Sequence, residues 1–206
     1  MINTTLRAIK EYAPCAEGWK KLLKHLGKST VDNEPLPLVE ILKSNGLDDA
    51  IWCLRAVDHK NVMLFAIACA REVQHLMTDR RSVQALDVAE AYVDGKATWE
   101  DLEHARSAAA SASADASADA PTYAADYAAT YAIYVIYATC ATYAATYAAN
   151  AADYAADAAA IYAADYAAAA DADADAYAAY AAASDAYADA YADAKERQTE
   201  LFIKFF

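Results

Sequence analysis

Two acid–histidine pairs come nearest to metal chemistry in this sequence. Glu72 precedes His75 in "EVQH", and Asp101 precedes His104 in "DLEH", each pair three residues apart. On a helix this spacing places both side chains on one face, as in the carboxylate-bridged di-iron bundles. Those centres also need two inward-facing glutamates, and the apolar stripes of this chain offer none. We therefore predict no metal site.

The cysteines suggest a second kind of chemistry, nucleophilic attack by a thiolate. Cys53 and Cys69 are each followed six residues later by a histidine, but both stand among apolar residues, which indicates buried packing. The chain has no CxxC pair, and this favours reduced thiols in a cytoplasmic protein. Phosphate loops, dinucleotide-binding glycine patterns and nucleophile elbows are absent from the sequence. We predict a protein that is not an enzyme and has no cofactor.

Residues 1–106 have the pattern of successive helices. An apolar stripe at steps of three and four residues predicts a core helix, and it comprises Val62, Phe65, Cys69, Val73 and Leu76. Asn3 or Thr4 is a predicted N-cap, Gly27 a predicted left-handed helix end, and Thr98 with Asp101 a near capping box. No alternating strand pattern occurs, so this half is predicted to be all-α.

An alanine-rich tail follows three helical stretches of the N-terminal half, which read "GLDDAIWCLRAV", "LFAIACAREVQHLM" and "ALDVAEAYVDGKAT". Over about residues 45–200 the chain resembles an alanine-rich family of bacterial and phage proteins, some of them described as immunity proteins of polymorphic toxin systems. The family's tail repeats Ala with Trp and Arg, where this chain has Tyr and Asp. The resemblance implies a small helical protein that binds another protein, with no enzymatic residues to transfer.

The net charge of −13 is concentrated in the tail. Residues 1–106 are close to balance, with 14 Lys/Arg and 16 Asp/Glu, whereas residues 107–194 contain 12 Asp and no basic residue. An acidic surface repels nucleic acid and attracts basic partners. We expect a protein partner with a basic surface and no direct binding of nucleic acid.

Alanine's helix propensity and the absence of Gly and Pro predict helix throughout residues 122–206. One helix over residues 122–194 would be about 110 Å long. The tyrosines change face twice along it, which favours breaks near residues 138–142 and 155–161 and three helices packed through alanine faces. A gradual drift of the tyrosine stripe around a supercoiled helix is the alternative.

We therefore predict an all-α fold in which an N-terminal helical domain, residues 1–106, packs with an antiparallel helical bundle and C-terminal helix, residues 122–206. A Ser/Ala linker or frayed helix, residues 107–121, joins them.

Residues 127–152 are uncharged and long enough to cross a bilayer. Their alanines and threonines are only weakly apolar and no basic flank anchors them, so we predict no membrane span. The N-terminal stretch "MINTTLRAIKEYAPC" has no apolar segment typical of a secretory signal.

The predicted function is neutralisation of a partner protein, as an immunity or phage counter-defence inhibitor, through an acidic, tyrosine-rich surface. Tyrosine is enriched at interface hot spots, and a folded tail brings aspartates close enough for nucleic-acid mimicry. The predicted contact residues are Asp171, Asp173, Asp175, Tyr177, Tyr180, Asp185, Tyr187, Asp189, Tyr191 and Asp193. A self-associating helical scaffold, with a homodimer formed through tyrosine faces, is the alternative, and ice binding is the third. A solvated acidic face, or a Tyr/Asp repeat that arose by drift, explains the same composition without function.

Overall fold

The computed structural model of the chain describes residues 2–57, 59–115, 120–137, 141–170 and 176–206. It is 81% helical, and a two-stranded sheet is the only sheet of the described residues, so the predicted all-α fold is confirmed. The helices in these ranges are α1 (Leu6–Glu11), α2 (Ala16–Leu26), α3 (Leu38–Asn45), α4 (Leu47–Trp52), α5 (His59–Glu72), α6 (Arg80–Val93), α7 (Trp99–Asp115), α8 (Ala120–Tyr137), α9 (Ala141–Ala170) and α10 (Ala176–Phe205). Strands β1 (Asn3–Thr4) and β2 (Leu36–Pro37) pair antiparallel, and 3₁₀ segments span Cys53–Ala56 and Gln74–Leu76.

Two of the three predicted helix ends are confirmed. Gly27 ends α2 in the left-handed region at φ 65°. The Asp101 amide donates to Thr98 Oγ1 over 3.2 Å and the Thr98 amide donates to Asp101 Oδ2 over 2.9 Å, which is a reciprocal capping box. The N-cap predicted at Asn3 or Thr4 was wrong, because both residues pair in β1 and Thr5 caps α1 instead.

The apolar stripe predicted for one core helix is buried, but only Val62, Phe65 and Cys69 lie in α5, because the helix ends at Glu72 before Val73 and Leu76. All five residues of the stripe are buried, and Phe65 is fully enclosed. The end of α10 docks on this stripe, with the rings of Phe202 and Phe206 in edge contact with Phe65 at centroid distances of 5.7 and 5.9 Å. The C-terminal apolar residues therefore close the N-terminal core.

The tail folds into the three helices α8, α9 and α10, which confirms the bundle over the single rod. The first predicted break, residues 138–142, falls mainly on residues 138–140, which lie outside the described residues between α8 and α9. The second, at residues 155–161, was wrong, because α9 continues from Ala141 to Ala170. The described residues contain no helix that is both long and apolar enough to cross a membrane.

Tyrosine changes face within α9 because different neighbours border the helix along its length. The Tyr154 ring stacks on that of Tyr131 from α8 at 5.3 Å, whereas the Tyr162 ring meets His75 edge-on at 6.5 Å. Alanine fills the buried positions between them, including Ala155, which is 2% exposed. The rings thus cover two edges of one continuous helix, and a change of stripe does not require a break.

The change of composition near residues 107–121 does not divide the chain into two separately packed parts. Helix α7 continues to Asp115, and its Ala109 and Ala112 are fully buried, although residues 107–121 were predicted to be a linker or frayed helix. Residues 116–119 lie outside the described residues. Buried side chains of both predicted parts form one hydrophobic cluster, in which α5 packs against α8, α9 and α10.

Asp126 of α8 is fully buried, and neither of its carboxylate oxygens has a hydrogen-bond partner among the described residues. Burial raises the pKa of Asp126, and the nearby Ser82 hydroxyl, outside hydrogen-bonding geometry, offsets the shift only in part. The folded state therefore holds this proton more tightly than the unfolded state. Stability contributed by the protonated carboxyl is complete below the unfolded pKa and is lost as pH rises through the folded pKa.

We predict that Asp126→Asn stabilises the protein by about 1–3 kcal/mol at neutral pH and by much less near pH 4, because the amide carries no charge to bury. Urea unfolding of both proteins at the two pH values measures the difference. Asp165→Asn is the matched control, because Asp165 is exposed within the same local sequence, "AADYAA". A gain that is equal at both pH values would contradict the prediction.

Candidate partner-binding surface

The structure describes the side chains of five of the ten predicted contact residues. Asp171, Asp173 and Asp175 lie outside the described residues. Tyr177 and Tyr180 lie in α10, where the structure describes their backbone but not their side chains. The remaining five occupy the middle of α10 and divide into two groups, three aspartates and two tyrosines.

The aspartates form an exposed row. Asp185, Asp189 and Asp193 are all exposed, and none of them pairs with a cationic side chain of the described residues. Their four-residue spacing repeats about every 6 Å along α10 and keeps them near one face. Three unneutralised carboxylates in one row can attract a basic surface.

The tyrosines do not stand beside that row. Tyr187 and Tyr191 stack on each other at 6.1 Å with a ring angle of 14°, and the Tyr187 hydroxyl donates to Asp157 Oδ1 of α9 over 3.1 Å. Burial, followed by this hydrogen bond and the Asp157 charge, raises the pKa of Tyr187. Both rings thus lie along the contact between α9 and α10, the α9–α10 seam, with Tyr187 exposed at its edge, whereas the aspartate row faces solvent.

Lys195 closes the same seam. Its Nζ donates to Asp153 Oδ1 over 2.7 Å and lies 5.6 Å from the centre of the Tyr191 ring. Burial acts to lower the pKa of Lys195, but the hydrogen bond to Asp153 and the surrounding negative charges outweigh it, so the pKa is raised. The Gln198 amide also donates to the Ala152 carbonyl over 2.6 Å. These contacts run in opposite directions along α9 and α10, so the two helices are antiparallel.

A second exposed group lies on α9 and is absent from the predicted contact residues. Tyr162 is 51% exposed and Tyr166 is 73% exposed, against 37% for Tyr187, and Asp165 between them is also exposed. The i, i+4 tyrosine spacing with an adjacent aspartate was visible in the sequence. Which tyrosines face solvent was not, because that depends on where α10 packs.

The residues considered for metal or thiol chemistry remain apart. Among the described residues, no three His, Cys, Asp or Glu side chains lie close enough to hold a metal ion. Helix α5 ends at Glu72, and exposed His75 follows in a 3₁₀ segment, while exposed His104 lies on α7. Burial raises the pKa of the Cys53 thiol to about 12, and it raises that of fully buried Cys69 as well. Both are packing residues, as predicted, whereas Cys15 is exposed.

Comparisons with protein families, with curated proteins and with solved structures find no match to this chain.

Proposed function

We propose that this chain is a non-enzymatic binding protein that neutralises a partner protein through the acidic surface of α10. The exposed, unpaired row Asp185, Asp189 and Asp193 is the observation that carries the proposal. Carboxylates that form no ion pair within the described residues remain available to a cationic surface, because Lys195 and Arg197, the nearest cations along α10, pair with other acids.

Exposed tyrosines supply the second element of such a surface. Tyr162 and Tyr166 present large rings to solvent on α9. Tyrosine has few rotatable bonds for its contact area, so it orders at an interface with little loss of entropy. We infer that these exposed rings, in place of the seam residues Tyr187 and Tyr191, supply the tyrosine contacts of the protein to a partner.

The partner's expected class is a basic protein of the cytoplasm, such as a toxin, a nuclease or a defence effector. An immunity or phage counter-defence role follows from that chemistry and from the family resemblance. Nucleic-acid mimicry is the narrower version, and the fold supports it less than the composition did. Asp126 is buried and Asp153 is paired with Lys195, so two of the tail carboxylates are withdrawn from the acidic surface.

The test is capture of a basic partner by two variants that lose the same charge. Asp185→Asn, Asp189→Asn and Asp193→Asn combined remove the row, whereas Glu11→Gln, Glu17→Gln and Glu100→Gln remove three exposed acids of the N-terminal half. We expect the first variant to lose a salt-sensitive partner, by about tenfold or more in affinity, and the second to keep it. Equal retention by both would refute a role for the row.

A self-associating scaffold is the second candidate, favoured by the exposure of Tyr162 and Tyr166. It predicts a dimer in light scattering that Tyr166→Ala dissociates, whereas the inhibitor proposal predicts no such change. Ice binding has less support, because Thr130 is only 5% exposed and its hydroxyl donates to the Asp126 carbonyl over 3.1 Å.

A further inference from the structure

A cavity of about 120 Å³ lies in the N-terminal part of the chain, between α2, α3 and α4. It is remote in sequence from the acidic tail and plays no part in the proposed partner surface. A helical core cavity of about 150 Å³ is known to hold benzene, so this one has room for a ligand of about five to seven heavy atoms.

The walls of the cavity are mainly apolar and include two of the chain's three tryptophans. Trp19 of α2 and Trp52 of α4 face it together with Leu22 and Ile41. Indole rings attract cations through the negative potential of their faces, and a pair of aromatic walls is a recurrent way to hold a substituted ammonium ion. Apolar neighbours favour the alkyl groups of such an ion over a bare, strongly hydrated one.

A single carboxylate stands at the polar side of the cavity. Asp49 is half-buried, and no cationic side chain of the described residues pairs with it. The Asn45 amide donates to Asp49 Oδ2 over 2.7 Å and to the Gly18 carbonyl over 2.9 Å, which fixes the carboxylate at the rim. Its other oxygen has no hydrogen bond within the described residues. The cavity therefore combines aromatic walls with one oriented negative charge.

Gly18 makes that arrangement possible. A Cβ atom at this position would lie 2.8 Å from Asp49 Oδ2 and 3.1 Å from Cys15 Sγ. Only a residue without a side chain lets α2 approach the carboxylate this closely, whereas alanine would otherwise be favoured within a helix.

We propose that this cavity is a binding site for a small substituted ammonium ion of the size of choline. The alkyl groups of the ion contact the indoles of Trp19 and Trp52, and its positive charge lies against the Asp49 carboxylate.

Two cations of the chain act from outside the cavity. Lys10 Nζ lies 5.0 Å from the centre of the Trp19 ring, and the Arg55 guanidinium carbon lies 4.1 Å from that of Trp52, but neither residue lines the cavity. Asp49 is the one charged residue among the described residues that line the cavity, so a bound cation contacts its carboxylate and neither of those two side chains. Because Coulomb energy falls with distance, the carboxylate determines the sign of the field that the ligand meets.

The test is a fluorescence titration of the full chain carrying Trp99→Phe, in which the remaining tryptophans are the two that line the cavity. The probes are choline and its neutral isostere, in which a quaternary carbon replaces the nitrogen. We expect a saturable change with choline and at least about tenfold weaker binding of the isostere. Equal or tighter binding of the isostere, or no saturation with choline in the millimolar range, would overturn the proposal.

Asp49→Asn and Asp48→Asn form a matched pair on α4, because each removes one carboxylate and Asp48 is exposed outside the cavity. We expect Asp49→Asn to weaken choline binding by about tenfold and to remove the preference over the isostere, with Asp48→Asn unchanged. Gly18→Ala, which displaces the carboxylate, is expected to weaken choline binding in the same way while the far-ultraviolet circular dichroism stays native. Equal effects of Asp49→Asn and Asp48→Asn would show general attraction by the net charge and refute the site.

Discussion

Phe202→Ala is expected to destabilise the protein by about 3–5 kcal/mol, the largest effect that we predict for a single truncation. The Phe202 ring is fully buried, lies edge-on to Phe65 at 5.7 Å and packs against Phe206 at 4.7 Å. Removing it opens a cavity where the last turn of α10 meets the centre of α5. Helix α5 also packs against α8 and α9, so the surrounding helices cannot collapse fully into that space. The variant therefore loses the transfer free energy of the ring and also bears the cost of the remaining cavity.

Ile203→Ala is the control for that experiment, because Ile203 is the next residue on the same helix and is 53% exposed. Its truncation is expected to change the free energy of unfolding by no more than about 0.5 kcal/mol. Urea unfolding followed by circular dichroism measures both variants. If Phe202→Ala costs no more than Ile203→Ala, then α10 does not dock on the N-terminal core.

Ala128→Leu is expected to lower the free energy of unfolding by about 3 kcal/mol, because it places a larger side chain at a buried position where the tail helices pack closely. Ala128 of α8 and Ala151 and Ala155 of α9 are each at most 2% exposed. Alanine lets helix axes approach closely, and a leucine at such a position has to push a neighbouring helix away or adopt a strained rotamer.

Ala192→Leu makes the same chemical change at an exposed position of α10. Alanine and leucine differ little in helix propensity, so this control is expected to be neutral within about 0.5 kcal/mol. Thermal unfolding of the two variants separates packing from propensity. Similar melting temperatures would mean that the alanine faces are not in close contact.

The helical class and the core stripe of α5 were predictable because both depend on local periodicity. Val62, Phe65 and Cys69 lie at helical spacing in α5 and are buried, whereas Val73 and Leu76, which are also buried, follow the end of that helix at Glu72. Thr98 with Asp101 was predictable for the same reason, since a capping box involves residues only three apart. The actual N-cap of α1, Thr5, was not, because the pairing of β1 with a strand more than thirty residues away selected it.

The tail shows where local sequence stops being informative. The hexapeptide "AADYAA" occurs three times, and its aspartate is buried at Asp126, paired with Lys195 at Asp153 and exposed at Asp165. Identical neighbours along the chain give no basis for distinguishing these outcomes. Which helices surround each copy decides them, and that is a property of the assembled bundle.

The candidate surface was only partly predictable, because the packing of the helices decides which of its residues face solvent. Asp185, Asp189 and Asp193 are exposed, as the cost of burying a charge favours, but Asp126 is buried despite that cost, so this rule alone does not determine where an aspartate lies. A tyrosine ring is stable both in a seam and at a surface. Tyr187 and Tyr191 lie at the α9–α10 seam, whereas Tyr166 lies at the surface.

Small-angle X-ray scattering of the full chain tests most directly whether the alanine-rich half folds back on the rest. The antiparallel packing of α8, α9 and α10 predicts a radius of gyration near the compact value for 206 residues, about 17 Å. A single continuous helix over the same residues would be about 125 Å long and would raise the radius of gyration above about 30 Å. A value in that upper range would contradict the fold-back, and with it the acidic surface on α10.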